Sequence, residues 1–155
     1  MQRLLNTKGK ILSIDYGDKR TGLAVCDATR FLASGIGTIS PGGMQKTVDA
    51  ICEKVVELRI TGGIIVGLPV NMNGSEGPRA EHCRKFASEI ERRLKDFSGY
   101  ENLPIVMLDE RMTTMVAARY LNETDTRGAK RKGVIDTLSA QIILQNALDR
   151  LKNMK

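Results

Sequence analysis

The chain has 155 residues, of which 41 % are hydrophobic and 27 % charged, and its formal net charge at pH 7 is +6. This length and composition are typical of one globular domain, and they exclude a disordered or fibrous chain as well as two substantial domains with a cleft between them. The moderately basic balance favours a polyanionic partner such as nucleic acid.

The first forty residues predict three short strands. Residues 10–15, 21–26 and 31–39 are rich in Ile, Leu and Val, and the links between them are only a few residues long. Such short links between apolar segments are typical of hairpins. We therefore expect an antiparallel meander at the start of the chain.

Helices and apolar strands alternate over the rest of the chain. Helical spacing of apolar residues appears over 44–59 and after Pro78, while 64–68 and 104–108 are wholly apolar and predict strands that are buried on both faces. Residues 67–78 predict a loop, 113–121 a short helix, 122–132 a basic loop and 134–151 an amphipathic helix. Three antiparallel and two parallel strands then form one mixed five-stranded sheet with helices on both faces. This is the ribonuclease H-like α/β arrangement, in a single domain that spans residues 1–155.

The cysteines and the apolar runs bear on the compartment. Cys26, Cys52 and Cys83 are odd in number and show no Cys-x-x-Cys spacing, which favours free thiols over disulfides or a zinc site. No apolar run approaches the ~18 residues of a membrane span. We expect a soluble cytoplasmic protein with no membrane partner.

Acidic residues interrupt the apolar pattern near the ends of the predicted elements. Asp15 and the pair Asp109-Glu110 end strands, and Asp136 lies on the apolar side of the last helix. Open α/β sheets place ligands at the carboxyl ends of strands, and only one of two adjacent strand residues can join Asp15. The alternatives are an Asx turn at Asp15, a polar strand exit at 109–110 and a first-turn Asp136 that the helix dipole stabilises.

Three carboxylates that converge on one point repel each other unless cations neutralise them. Two Mg²⁺ or Mn²⁺ ions ~4 Å apart would do so, and they would generate a hydroxide and stabilise the attacking and leaving oxygens of a phosphodiester. No histidine is required, and we interpret the lone His82 as a surface residue. The acids therefore indicate a two-metal hydrolase as one interpretation of the chain.

Four sequence blocks resemble those of the YqgF/RuvX family, whose members are assigned as pre-16S rRNA nucleases and are related to Holliday-junction resolvases. In order, the blocks are IDYGDKRTGLA at 14–24, IVGLPVNMNGSEGP at 65–78, DERMTT at 109–114 and KGVID at 132–136. The similarity spans nearly the whole chain. Asn73 stands where the family usually has Asp, and residues 97–103 are longer than usual.

The resemblance implies a ribonuclease H-like nuclease in which Asp15, Glu110 and Asp136 are the catalytic and metal-binding acids. Asp15 would bridge two Mg²⁺ or Mn²⁺ ions, and the other two acids would each complete one. A set of basic and amide side chains is then expected to contact substrate phosphates or guide the sugar-phosphate chain. These are Lys19, Arg20, Asn71, Asn73, Arg111, Lys130, Arg131 and Lys132.

The leading hypothesis is a metal-dependent nuclease that processes the 5′ end of precursor 16S rRNA. A Holliday-junction-type DNA resolvase would use the same chemistry in a dimer, and the sequence leaves open whether the chain is a monomer or a homodimer. A non-catalytic, RNA-binding ribosome-assembly factor is a third hypothesis. The length disfavours an actin-like ATPase, which closes two domains around its nucleotide.

The chain has three Tyr, three Phe and no Trp, which argues against recognition of nucleic acid by base stacking. This composition predicts binding through phosphates, which depends on salt concentration.

Overall fold

Five strands form one mixed sheet in the computed structural model, which describes residues 1–110 and 128–154, and the side chains of all these except 128–134. The strands are β1 (Ile11–Asp15), β2 (Thr21–Cys26), β3 (Ala33–Ile39), β4 (Gly63–Leu68) and β5 (Ile105–Asp109). Their order across the sheet is β3-β2-β1-β4-β5. β1, β2 and β3 pair antiparallel, and β4 runs parallel to both β1 and β5. The predicted sheet is confirmed.

Helices cover both faces of this sheet. The described helices are α1 (Gln2–Leu5), α2 (Met44–Glu57), α3 (Pro78–Leu94) and α4 (Gly128–Met154). Leu12 and Ile14 of β1 belong to the core formed with α2 and α3, whereas Ile11 belongs to the core formed with α4. Successive side chains of a strand point to opposite faces, so a central strand that is covered on both sides must be apolar throughout. This explains the unbroken apolar runs.

The last helix begins earlier than the sequence predicted. Residues 128–132, which were expected to lie in a basic loop, form the first turns of α4. Lys and Arg are good helix formers, so a lack of apolar residues does not end a helix. Asp136 consequently lies in the third turn, and the first-turn interpretation of this residue is wrong. The predicted helix 113–121, Arg111 and the remainder of the basic loop lie outside the described residues.

The cysteines follow the prediction. Cys26, Cys52 and Cys83 are buried free thiols. Within the described part of the chain, no helix combines the length and the apolarity that crossing a bilayer requires.

Candidate active site

Two acidic side chains meet at the carboxyl ends of the parallel strands. Asp15 is the last residue of β1, and Glu110 follows the last residue of β5. The Glu110 N–H donates to the Leu68 carbonyl oxygen at 3.1 Å, which extends the pairing of β4 and β5 by one residue. The two carboxyl groups lie within hydrogen-bonding range of each other. Of the adjacent acids Asp109 and Glu110, it is therefore Glu110 that pairs with Asp15.

Burial raises the pKa of both carboxyl groups. Desolvation, followed by the negative charge of Asp136, raises the pKa of Asp15 to about 6. Desolvation and the neighbouring Asp15 raise the pKa of Glu110 to about 8. Both shifts have the same direction, so the pair retains a proton to higher pH than two isolated carboxyl groups would.

Two glycines on the strands that flank β1 make room for this arrangement. At Gly67 of β4, a Cβ atom would lie only 2.5 Å from Glu110 Oε2 and 2.8 Å from Ile143 Cδ1 of α4. At Gly22 of β2, which pairs with Asp15, a Cβ atom would lie 2.0 Å from the backbone carbonyl oxygen of Asp136. Only glycine allows α4 and the Glu110 carboxyl group to approach the sheet this closely.

Asp136 lies near the pair but has its own partner. Its Oδ2 atom accepts a hydrogen bond from Arg20 Nε at 2.9 Å, and the two side chains are 25 % and 34 % exposed, respectively. Its charge raises the pKa of Asp15, which places it within electrostatic range of the pair. Among the residues with described side chains, no three His, Cys, Asp or Glu side chains are grouped as a metal site. The structure thus brings two of the three predicted acids into contact and the third close by.

The predicted phosphate-binding residues fall into three groups. Arg20 serves as the counter-ion of Asp136, and Lys19 is exposed in the turn between β1 and β2. Asn71 Nδ2 donates to Ser75 Oγ at 3.0 Å, and Asn73 Oδ1 accepts hydrogen bonds from the N–H and the hydroxyl group of Ser75, so both shape the exposed loop between β4 and α3. Arg111 and the side chains of Lys130, Arg131 and Lys132 lie outside the described residues.

Arg79 is a site residue that sequence analysis missed. It lies in the first turn of α3, donates from Nη2 to the Tyr16 carbonyl oxygen and pairs with Asp18 at 3.4 Å. Its positive charge lowers the pKa of both Asp15 and Glu110, against the larger effect of burial. The sequence contained a signal for Arg79, because a basic residue in the first turn of a helix is unfavourable to the helix dipole.

Tyr16, the residue after Asp15, is fixed through both its ring and its carbonyl oxygen. The ring of Tyr16 stacks on that of Phe86, with centroids 4.0 Å apart and an angle of 9° between the ring planes. Phe86 is fully buried in the core between the sheet and α3. Together with the bond from Arg79 to its carbonyl oxygen, this stacking fixes the backbone that carries Asp15.

The donor set fits a hard divalent cation. Asp15 and Glu110 offer carboxyl oxygens, the ligands that Mg²⁺ and Mn²⁺ prefer. A cation would neutralise the pair as the shared proton does. Cys83 lies within electrostatic range of the same acids, and burial raises the pKa of its thiol to about 11. The carboxyl oxygens of the pair therefore provide the part of the site that fits Mg²⁺ or Mn²⁺.

The sequence comparisons agree on one family. A family model described as RuvX, Holliday junction resolvase, matches residues 9–150. A protein of Ruminiclostridium cellulolyticum named "Putative pre-16S rRNA nuclease" is 40 % identical over 147 residues, which cover 94 % of this chain and 98 % of that protein. A protein of the same name from Phenylobacterium zucineum is 43 % identical over 145 residues, which cover 93 % of this chain and 88 % of its own length.

A solved structure shares the architecture. The structure described as T. thermophilus RuvC in complex with Holliday junction substrate aligns with a TM-score of 0.56 at 13 % identity, covering 94 % of this chain and 96 % of that one. At this identity the likeness concerns the fold alone, and it confirms the ribonuclease H-like arrangement.

Proposed function

This chain belongs to the RuvX family, and from that premise we propose that it is a divalent-metal-dependent nuclease that cleaves the 5′ region of precursor 16S rRNA. One observation carries the chemistry: the partly buried carboxyl pair of Asp15 and Glu110 at the carboxyl ends of β1 and β5. Support for the substrate comes from relatives at about 40 % identity that are named as pre-16S rRNA nucleases.

Asp15 and Glu110 would hold the first ion, and Asp136 would contribute to a second. Bound Mg²⁺ or Mn²⁺ would supply an activated water and stabilise charge on the phosphate. For this, Glu110 must lose the proton that it shares with Asp15, and Asp136 must exchange Arg20 for a metal. In the metal-free protein, Arg20 supplies the positive charge that a half-buried carboxylate such as Asp136 requires.

Cationic side chains beside the acids would hold the substrate backbone. Arg20, once released from Asp136, and the exposed Lys19 lie in one turn, and Arg79 lies on the adjacent end of α3. Arginine suits phosphate because its planar fork donates two parallel hydrogen bonds. Arg111, Lys130, Arg131 and Lys132 stay predicted phosphate contacts. Their charges agree with the overall excess of basic residues.

We propose the cytoplasm as the site of this activity. The three cysteines are free thiols, which is the state that a reducing compartment maintains. Precursor rRNA is the polyanionic partner that the basic charge would serve there. A fluorescent fusion of the full chain that co-localises with ribosomal precursors would support this placement, and export of the fusion from the cell would contradict it.

Cleavage of an end-labelled RNA that carries the 16S 5′ leader tests the proposal. The reaction is run with Mn²⁺ and with EDTA, using wild type and Asp15→Asn. Asp96→Asn is the matched control, because it makes the same chemical change at an exposed ion pair beyond the far end of α3. We expect cleavage only with metal, its loss in Asp15→Asn and wild-type activity in Asp96→Asn. Retention of cleavage by Asp15→Asn would overturn the site.

Junction resolution is a second candidate, which the description of the matching family model favours. The same assay on a four-way DNA junction separates the two candidates. Symmetric cutting needs two active sites in a dimer, so a sizing measurement with the junction accompanies it. RNA that is bound but never cut, at any divalent-ion concentration, would instead establish an RNA-binding assembly factor.

A further inference from the structure

The hydroxyl group of Ser139 is buried without a partner. Among the residues whose side chains are described, its Oγ is the single fully buried side-chain nitrogen or oxygen that makes no hydrogen bond. The residue is 1 % exposed. Ser13, also buried, instead donates to the Ala140 carbonyl oxygen at 2.9 Å. Buried hydroxyl groups in native proteins are nearly always paired, so the exception requires an explanation.

Contacts of α4 with the sheet locate this hydroxyl group. Asp136, Ser139 and Ile143 are spaced by three and four residues, so they share one side of the helix. The Asp136 end of this row lies against Gly22 of β2, and the Ile143 end lies against Gly67 of β4. β1 lies between β2 and β4. Ser139, in the middle of the row, therefore lies over the carboxyl end of β1.

The carboxyl group of Asp15 projects toward the same place. Ser13 and Asp15 are two residues apart on β1, so both side chains leave the same face of the sheet. Ser13 contacts α4 at Ala140, the residue next to Ser139. Glu110 Oε2 lies over Gly67, beside Ile143. The row on α4 that carries Ser139 thus faces the part of the sheet from which the two carboxyl groups project, and its hydroxyl group makes no hydrogen bond to either of them.

We propose that Ser139 is a positioning residue, whose hydroxyl group donates its one hydrogen bond to the Asp15 carboxylate when the site holds its metal. The inference rests on the proposed function. Groups that hydrogen-bond metal ligands hold them in the orientation that the ion needs, and their loss typically weakens metal binding about 10- to 100-fold. This hydrogen bond would be absent from the metal-free protein and present in the metal-loaded one. It accounts for a buried hydroxyl group that has no partner in the metal-free structure.

The test measures Mn²⁺ affinity by titration calorimetry without nucleic acid, together with the melting temperature in EDTA. The variants are Ser139→Ala, Ser139→Thr, which keeps the hydroxyl group, and Ser13→Ala, which removes a hydroxyl group that has a partner. We expect Ser139→Ala to bind Mn²⁺ about 10-fold more weakly, yet to melt in EDTA no lower than wild type. We expect Ser139→Thr to restore part of the affinity and Ser13→Ala to melt lower.

Two results would overturn the inference while leaving the proposed function intact. One is wild-type Mn²⁺ affinity in Ser139→Ala. The other is a melting temperature of Ser139→Ala in EDTA as low as that of Ser13→Ala, which would give the hydroxyl group a structural partner in the metal-free fold. Wild-type protein that binds no Mn²⁺ would overturn the proposed function itself, so the two failures are distinguishable.

Discussion

Asp15 and Glu110 occupy a position that is unfavourable for two charges and favourable for one proton or one cation. Burial is the largest influence on both, and it raises their pKa values to about 6 and about 8. Arg79 opposes this effect without cancelling it. A divalent cation that binds there would compete with protons for the same oxygens, so its binding would depend on pH.

The affinity for Mn²⁺ should rise steeply between pH 6 and pH 8, because the proton that the two acids share must leave when the ion binds. Titration calorimetry at several pH values measures the affinity. Repeating it in buffers of different ionisation enthalpy measures the protons released. Affinity that does not change over this range, with no proton release, would contradict the exchange.

Replacing Arg79 by Gln should shift metal binding to higher pH. The guanidinium group lowers the pKa of both acids, so its removal raises them further and Mn²⁺ must displace more tightly held protons. Arg84→Gln is the matched control, five residues further along α3, where the arginine pairs with exposed Glu76. We expect the pH of half-maximal Mn²⁺ binding to rise in Arg79→Gln alone. An equal shift in both variants would show a general effect of charge.

The site depends on the close approach of α4 and the Glu110 side chain to the sheet. Gly22 and Gly67 stand on the two neighbours of β1, each at the point where α4 or Glu110 comes nearest to the sheet. The buried hydrogen bond from Ser13 to Ala140 fixes the same helix over β1. The separation of Asp136 from Asp15 is thus decided by backbone contacts of whole elements rather than by either side chain.

Methyl groups added at these glycines should have different consequences. Gly67→Ala meets the flexible end of Glu110, so we expect the fold to be kept and Mn²⁺ affinity to fall. In Gly22→Ala the added Cβ atom would lie 2.0 Å from the Asp136 carbonyl oxygen, so α4 must move. We expect the free energy of unfolding to fall by about 1–3 kcal/mol. Gly77→Ala is the control, with no atom within 4 Å of the added Cβ. Urea denaturation and calorimetry report both quantities, and wild-type stability in Gly22→Ala would contradict the close approach.

At the scale of the whole molecule, the acid pair lowers stability where it ionises. The folded pKa values of Asp15 and Glu110 lie above the ordinary values of 3.8 and 4.5. Unfolding therefore releases protons. As a consequence, the free energy of unfolding falls as the pH rises from about 4 to about 8. Bound metal would remove this loss, because it favours the ionised form in the folded protein.

The free energy of unfolding in EDTA should accordingly be lower at pH 8 than at pH 5, by on the order of a few kcal/mol. Asp15→Asn should reduce this dependence, because an amide does not ionise. Saturating Mn²⁺ should restore stability at pH 8. Urea denaturation at the two pH values measures each case. Equal pH dependence in wild type and Asp15→Asn would show that the pair is not its source.

The mixed five-stranded sheet and the strand ends that carry acids could be predicted from local patterns. Apolar runs, short hairpin links and helical spacing report burial and connectivity, and these determine a sheet of this topology. Asp15 and the pair Asp109-Glu110 stood out because they end apolar strands, and strands that run parallel end at one edge of the sheet. The local pattern left open which of the two adjacent acids joins Asp15, and the choice of Glu110 came from the family resemblance.

Other features depend on segments that are distant in the chain, and only the tertiary structure decided them. Arg79 lies 64 residues after Asp15, and Arg20 pairs with Asp136 across 116 residues. The raised pKa values of the acids result mainly from burial, which no local sequence pattern measures. The sequence by itself determined which strand ends carry carboxyl groups. The packing of α3 and α4 decided which cations and hydroxyl groups surround them, because charge, desolvation and hydrogen bonding depend on distances in space.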